Sequence, residues 1–580
     1  MAGTPYPKLQ MHRFAYTKLT PEQIQAKLTP AAIKGPASAS PLSNVFAGKT
    51  LKIVTDMGPT LEYRFKGPNR LTLVESGAKP VDAGYGALTQ DKIAFFAHLI
   101  PGTQRGYAVV IDQAAGLATV FELWFSGYAD NREVQREIYF GYVDQGGATP
   151  DKRHVATNRM EGHGYHWTQD NGIETLEFYP SAAYSHFVEL TRLGGELGYC
   201  GPSDYIKVDD DFYIYTRTEC EFSGTFTVYA IDLNRLQQVG LRLGFDAADQ
   251  LDYYVFRGNA EWLGQIAQFE KFGDIAGNVV PPPKDAKKGE RRVYRPLLTE
   301  PKMTRAEVDA AVAKKTAVFP PPGAGPQMAG NSLPSSDYLA GKTFTLRYDD
   351  GLVMEYRISG PEDLEWRKDG SGDWTRARYK AWEPAPGVID FGHLIEGAPD
   401  HDGHMIVADF DRALFTCFNG HLNTPYFANE AGVKVRFGVI EMEGLIPPLY
   451  DRHVLTDELL GHALTWNYAP GLTSMHLYST PHSMSWIIFT DAGAGGLEWS
   501  GPAAYVKIRD QLYYMYWLEE ACNGTLGTIV INLRTLHDSG IGYHCGNEGL
   551  SMSAVGAHMR HAGHFEIQKF HQPKTEGTQA

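Results

Sequence analysis

The chain has 580 residues, of which 43% are hydrophobic, 12% aromatic and 21% charged, a composition that excludes global disorder and supports several cores. Lys plus Arg number 53 against 68 Asp plus Glu, a formal charge of −15, so phosphate backbones and anionic lipid are poor partners for its surface. Five cysteines without a CxxC pair fit a reducing, cytoplasmic setting and no structural zinc, and no apolar run is long enough to span a membrane.

Taken in chain order, Thr20, Pro21 and Gln23 open a short helix in an N-terminal arm spanning 1–45. Short segments rich in Tyr, Phe, Val, Ile and Thr follow, punctuated by 61 Gly and 34 Pro, the pattern of many strands and turns. Residues 280–338, rich in Pro and Lys, read as a linker with one helix, announced by Thr304 and Glu307 as a capping box. Beyond it the chain repeats itself. FAGKTLKI at Phe46 returns as LAGKTFTL at Leu339, and FFAHLIPG, with His98, returns as DFGHLIEG, with His393. The longest ungapped match runs from Gly201 and from Gly501, 300 positions on. The chain is read as a tandem duplication of about 290 residues.

Each half divides again. Gly48/Gly58, Gly162/Gly172, Gly341/Gly351 and Gly461/Gly471 open four related modules, the second glycine of each expected at a hairpin turn with positive φ. The modules are placed at 46–149, 150–279, 339–450 and 451–580.

In DQLYYMYWLEE a strand puts Tyr513, Met515, Trp517 and Glu519 on one face. In the first half Tyr213, Tyr215, Arg217 and Glu219 share the matching face. A carboxylate on an aromatic face is costly unless paired or used. One reading is a rim carboxylate paired with Arg217. The other is a general acid/base whose pKa is raised by desolvation. Arg217 beside Glu219 favours its ionised form, so Glu519, whose own strand face carries no cation, is expected to be the better proton donor. His98 and His393 lie mid-strand, as satisfied core histidines first and acid/base groups second. His154/His453 and His163/His462 recur near Arg153/Arg452 as turn or core residues, and His558, His561 and His564 lack a completing Cys or carboxylate, so no metal site is assigned. No GxSxG, P-loop or GxGxxG opening a helix is present.

YVKIRDQLYYMYWLEE resembles the central strands of the phenolic acid decarboxylases, lipocalin-like (calycin) β-barrels in which a Lys-containing strand leads to a Tyr and a Trp-x-Glu. RYDDG at Arg347 and MEYRISG at Met354 resemble that family's entry strands. The two-part half is closer still to the molybdenum cofactor biosynthesis protein F (MoaF) family. The resemblance implies a mainly β fold, a tandem duplication of a two-barrel unit with calycin-like antiparallel barrels and short helical arms, and it places Glu519 and Glu219 on a catalytic glutamate. It places Trp466 and Tyr468, and Trp167 in the second module, where the family has paired tyrosines; Gln169 stands in for the other. The arginine that would hold a substrate carboxylate has no clear match, Glu498 lying near its place.

The expected function is a cofactor-independent lyase or isomerase acting on a small aromatic, phenolic or polyketide-like compound in a barrel cavity. Glu519, Glu219, Tyr513, Tyr213, His393 and His98 are the candidate catalytic residues, and Trp466, Tyr468, Trp167, Tyr215, Trp517 and Arg217 the candidate substrate contacts. In a decarboxylation the acid protonates the double bond, giving a quinone methide that loses carbon dioxide. The alternative is a non-catalytic binding protein of lipocalin type. The partner expected is a small hydrophobic or aromatic ligand, with a homodimer allowed and neither nucleic acid nor membrane. The working pocket is expected in the C-terminal module of each half.

Overall fold

Runs such as IAFFAHL and RGYAVVID are apolar on both faces, which demands burial on both sides rather than one wet face. In the computed structural model they are strands of closed barrels covered on their outer side by a second sheet. The structure describes residues 19–29, 42–125, 131–181, 184–191, 195–219, 224–246, 249–267, 279–280, 293–294, 302–320, 328–370, 372–490, 498–519 and 524–571. The protein is mainly β and a tandem duplication. It forms two units: residues 1–195, 199–295 and 496–498 make the first, and 196–198, 296–495 and 499–580 the second. No helix among the described residues is long and apolar enough to cross a membrane.

In the first unit the helix Pro21–Leu28 opens on the expected capping box, the Thr20 hydroxyl accepting from the Gln23 backbone N–H. A closed barrel of eight antiparallel strands follows, from Thr50–Thr55 to Val134–Val143, sealed by the pairing of Ile53 with Val143. The chain then forms a second antiparallel sheet whose first strand, His163–Gln169, is paired by the last, Leu251–Ile266, with Trp167 opposite Ala260. The second unit repeats this plan. Its helix Arg305–Lys314 carries the Thr304/Glu307 capping box. Its eight-stranded barrel runs from Thr343–Tyr348 to Gly432–Glu441, and in its second sheet His558–Phe565 returns to His462–Ala469.

Period-two alternation sorts each key strand as its sequence requires. Phe212 and Ile214 join the core shared with the barrel, beside Phe121, Phe226 and Val228, while Tyr213 and Tyr215 enter an aromatic core with Tyr165, Trp167, Tyr179, Tyr229 and Phe256. In the second unit Leu512, Tyr514 and Tyr516 pack on the barrel, Tyr514 stacking on Phe418 at 4.1 Å between ring centroids. Tyr513, Met515 and Trp517 take the other face.

The glycine expectation needs one correction. Gly172, Gly351 and Gly471 have φ of 84°, 92° and 76°, as hairpin turns require, whereas Gly58 is not in the left-handed region. Gly58 is fixed by space instead: a Cβ there would lie inside the Tyr139 ring. The odd cysteine count also resolves in part, since Cys200, Cys417 and Cys545 are buried and in no disulfide among the described residues; Cys220 and Cys522 lie outside the described residues.

Candidate functional site

Two interiors answer to the predicted faces, and they are built on one register. In the first unit Arg217 pairs across to Thr227, and Thr227 to Arg242, so both arginines stand level on neighbouring strands. They grip Glu219 between them. Arg217 Nη2 donates to Glu219 Oε1 at 2.9 Å, and Arg242 donates to both carboxylate oxygens, at 2.5 and 2.9 Å. Arg217 Nη1 also donates to Glu177 Oε1 at 2.7 Å, and Arg242 Nε to Asp252 at 3.0 Å. The Arg217 guanidinium lies 4.0 Å from the Phe187 ring centroid. Glu177, Arg217, Glu219 and Arg242 are all buried. Burial pushes the Glu177 carboxyl up, and Arg217 with the Tyr179 hydroxyl pulls it back.

In the second unit the same row reads Trp517, Gly527, Gly542. The indole of Trp517 lies across Gly527, where a Cβ would fall inside its ring. Trp517 Nε1 donates to Glu519 Oε1 at 3.0 Å. Where the first unit has Glu177 the second has His476, each bonded to the hydroxyl two residues before it: Thr175 Oγ1 donates to Glu177 at 3.3 Å, and Ser474 Oγ meets His476 Nε2 at 3.1 Å. His476 stands 5.8 Å from Trp466 and 5.7 Å from Trp517 between ring centroids. Burial drives its pKa down to about 3, so the imidazole is neutral. Tyr468 is buried, its pKa pushed well up by burial first and by Asp538 and Glu519 among the nearby charges. Asp538 itself is 1% exposed and held well above the usual carboxylate range by burial. Its Oδ1 accepts the Ala557 N–H at 2.5 Å, while Asp538 Oδ2 and His476 Nδ1 are buried without a hydrogen-bond partner among the described residues.

The structure thus brings Trp466, Tyr468, Trp517 and Glu519 together, and Arg217 with Glu219. Other candidates stand elsewhere or are already engaged. Arg217 is no free substrate clamp, because its guanidinium is committed to two carboxylates and stacked on Phe187. Tyr513 shares a face with Glu519, but six residues of strand separate them, about 20 Å. The Tyr513 hydroxyl donates to Glu458 at 2.7 Å, and that of Tyr213 to the Asp210 carbonyl at 3.2 Å. Trp167 and Tyr215 lie in the aromatic core, the Tyr215 hydroxyl donating to Ser185 Oγ at 2.7 Å. His98 and His393 are core residues of the two barrels. His98 Nε2 meets the Tyr63 hydroxyl at 3.2 Å and His393 Nε2 that of Tyr356 at 3.1 Å, and burial lowers both pKa values to about 4. His154 and His453 are likewise bonded to Thr119 and Thr416, at 2.7 and 2.9 Å.

Sequence reasoning missed Glu177, His476, Arg242 and Asp538. They stand on strands other than those carrying the glutamates, and only the register connects them. One signal was available: Asp538 faces Gln238 at the 300-residue offset, just beyond the longest matched segment. A cavity of about 350 Å³ also opens in a place not expected, at the mouth of the first barrel. Gln25, Gln104, Arg105, Glu122, Trp124 and Phe125 are among its lining. Arg105 is committed there to Glu122 at 2.5 Å and Glu75 at 3.0 Å.

Comparison with known families agrees with the two-part build of the second half. Residues 324–424 match the MoaF N-terminal domain and residues 453–564 the MoaF C-terminal domain, in tandem. No curated protein matches the chain.

Proposed function

We propose that this MoaF-like protein, whose second half carries both MoaF domains in order, is an acid/base lyase or isomerase for a small aromatic or phenol-like compound, working in its last sheet around Glu519. The observation that supports the reading is the replacement of Arg217–Thr227–Arg242 by Trp517–Gly527–Gly542 on a retained glutamate. The exchange turns a closed ion-pair network into a glutamate beside a neutral indole, with the His476 imidazole against that indole. Trp466, Tyr468 and Trp517 offer flat faces to an aromatic ring. His476 Nδ1, which has no hydrogen-bond partner among the described residues, holds unspent hydrogen-bonding capacity for its polar groups. Glu519 is the group suited to move the proton.

4-Hydroxycinnamic acid is a suitable probe, its turnover followed by loss of the conjugated absorbance. Glu519→Gln should cut turnover by about 100-fold or more. Wild-type rate in that variant would sink the assignment. The barrel-mouth cavity favours a second reading, a ligand cup without chemistry, because its charges are mutually satisfied and Trp124 and Phe125 supply its apolar lining. Binding of the probe without turnover, weakened by Trp124→Ala and indifferent to Glu519→Gln, would identify that case.

A further inference from the structure

Away from both interiors, the first unit buries a histidine, a thiol and a carboxylate against one another. His186 and Cys200 come from neighbouring parts of the chain, and Glu498, far along the chain, groups with this unit. His186 Nδ1 stands 3.2 Å from Cys200 Sγ, and Cys200 Sγ 3.4 Å from Glu498 Oε1. One ligand atom from each of the three lies within 4.8 Å of the others, and all three side chains are buried.

We propose that His186, Cys200 and Glu498 form a three-ligand site for a zinc-class divalent cation. With metal bonds of about 2.0 Å to nitrogen or oxygen and about 2.3 Å to sulfur, a tetrahedral site has edges of roughly 3.5 Å. The two spacings above are already close to that edge. The donor set of imidazole, thiolate and carboxylate is the borderline-soft mixture zinc takes, and unlike the set expected for magnesium or calcium. Three protein ligands leave a fourth position for water or for the second Glu498 oxygen, which has no hydrogen-bond partner among the described residues.

In the metal-free cluster the Cys200 thiol donates to the Glu498 carboxyl. A thiol gives up its proton when it ligates a metal, so metal binding releases protons and affinity rises with pH.

The test uses the full chain, stripped with chelator and titrated with Co²⁺. One equivalent should produce a thiolate-to-cobalt charge-transfer band that Cys200→Ser abolishes, and Glu498→Gln or His186→Gln should weaken binding at least 10-fold. No such band, or one that survives in folded Cys200→Ser, overturns the site. Where a variant fails to fold, calorimetry of Zn²⁺ binding to the wild type in two buffers decides. Binding with proton release supports the proposal; no binding, or binding without proton release, overturns it.

Discussion

The second sheets of the two units keep one scaffold and reverse its chemistry. Glu219 and Glu519 occupy the same strand position, but two arginines clamp the first and an indole donates to the second. Three paired exchanges produce the difference: Glu177 for His476, Arg217 for Trp517 and Arg242 for Gly542. Each member of a pair meets the same neighbour, so the ion pair of Glu177 with Arg217 becomes a ring contact of His476 with Trp517. Duplication has left one copy holding its fold with buried charge and the other with an aromatic interior around a carboxyl. A buried ion-pair network specifies geometry more than it stabilises, and it is unforgiving when one member is lost.

The comparison breaks first, and hardest, at the clamp. Arg242→Met leaves Glu219 with one fewer cation in a dry interior and should cost about 3–5 kcal/mol. Glu219→Gln should cost a similar amount by leaving two arginines under-compensated. Chemical denaturation of the full chain measures both, the transition of the first unit moving while that of the second stays in place. A loss below about 1 kcal/mol in both variants would mean that the network is solvated and the contrast between the copies false.

That clamp also marks the boundary of what the sequence could say. Period two placed Arg217 with Glu219, and Trp517 with Glu519, on the right faces, because alternation is local and a strand buried on both sides still alternates. The capping boxes at Thr20 and Thr304 were legible for the same reason: every partner lies within four residues. Arg242 and Glu177 were not legible, since cross-strand register is set by turns and bulges whose count the pattern does not fix. Gly58 shows the converse error. The repeat predicted a shared conformation, but the residue answers to the Tyr139 ring packed on it. The cluster of His186, Cys200 and Glu498 was out of reach altogether, because Glu498 joins the first unit from the far end of the chain.

Where the second sheets diverge, the barrels keep a matched buried histidine, and acid should expose that likeness. His98 and His393 each sit beside a buried tyrosine hydroxyl with a folded pKa of about 4, below the usual 6.5. Between those values the unfolded chain binds more protons than the folded one. Stability is whole above pH 6.5 and drains as pH falls toward 4, by about 3 kcal/mol for each histidine. His393→Gln should flatten the acid limb of the second unit alone. An unchanged limb would mean that His393 does not govern it.

A smaller effect sharpens the contrast from the other side. Gly527→Thr restores the residue of the first copy but drives its Cβ into the Trp517 ring, so the indole must leave its place. Overpacking of this kind costs about 1–3 kcal/mol. The displaced Trp517 should change its fluorescence and lose its bond to Glu519. If the variant is as stable as wild type with unaltered emission, the indole does not rest on Gly527.

The smallest expected change in stability belongs to Glu519→Gln, and its smallness is the point. The substitution preserves shape and an acceptor oxygen for Trp517 Nε1, and Glu519 is half-buried rather than sealed. Replacing a charge-assisted hydrogen bond by a neutral one in such a place should cost about 1 kcal/mol or less. The matched change at Glu219 is expected to cost several times more, although both remove one charge from equivalent strand positions. A glutamate that supports the fold shows its worth in denaturation; one kept for chemistry shows it in turnover. Equal losses of stability at 219 and 519 would put both carboxylates in the first class, and the acid/base reading of the second sheet would then lose its basis.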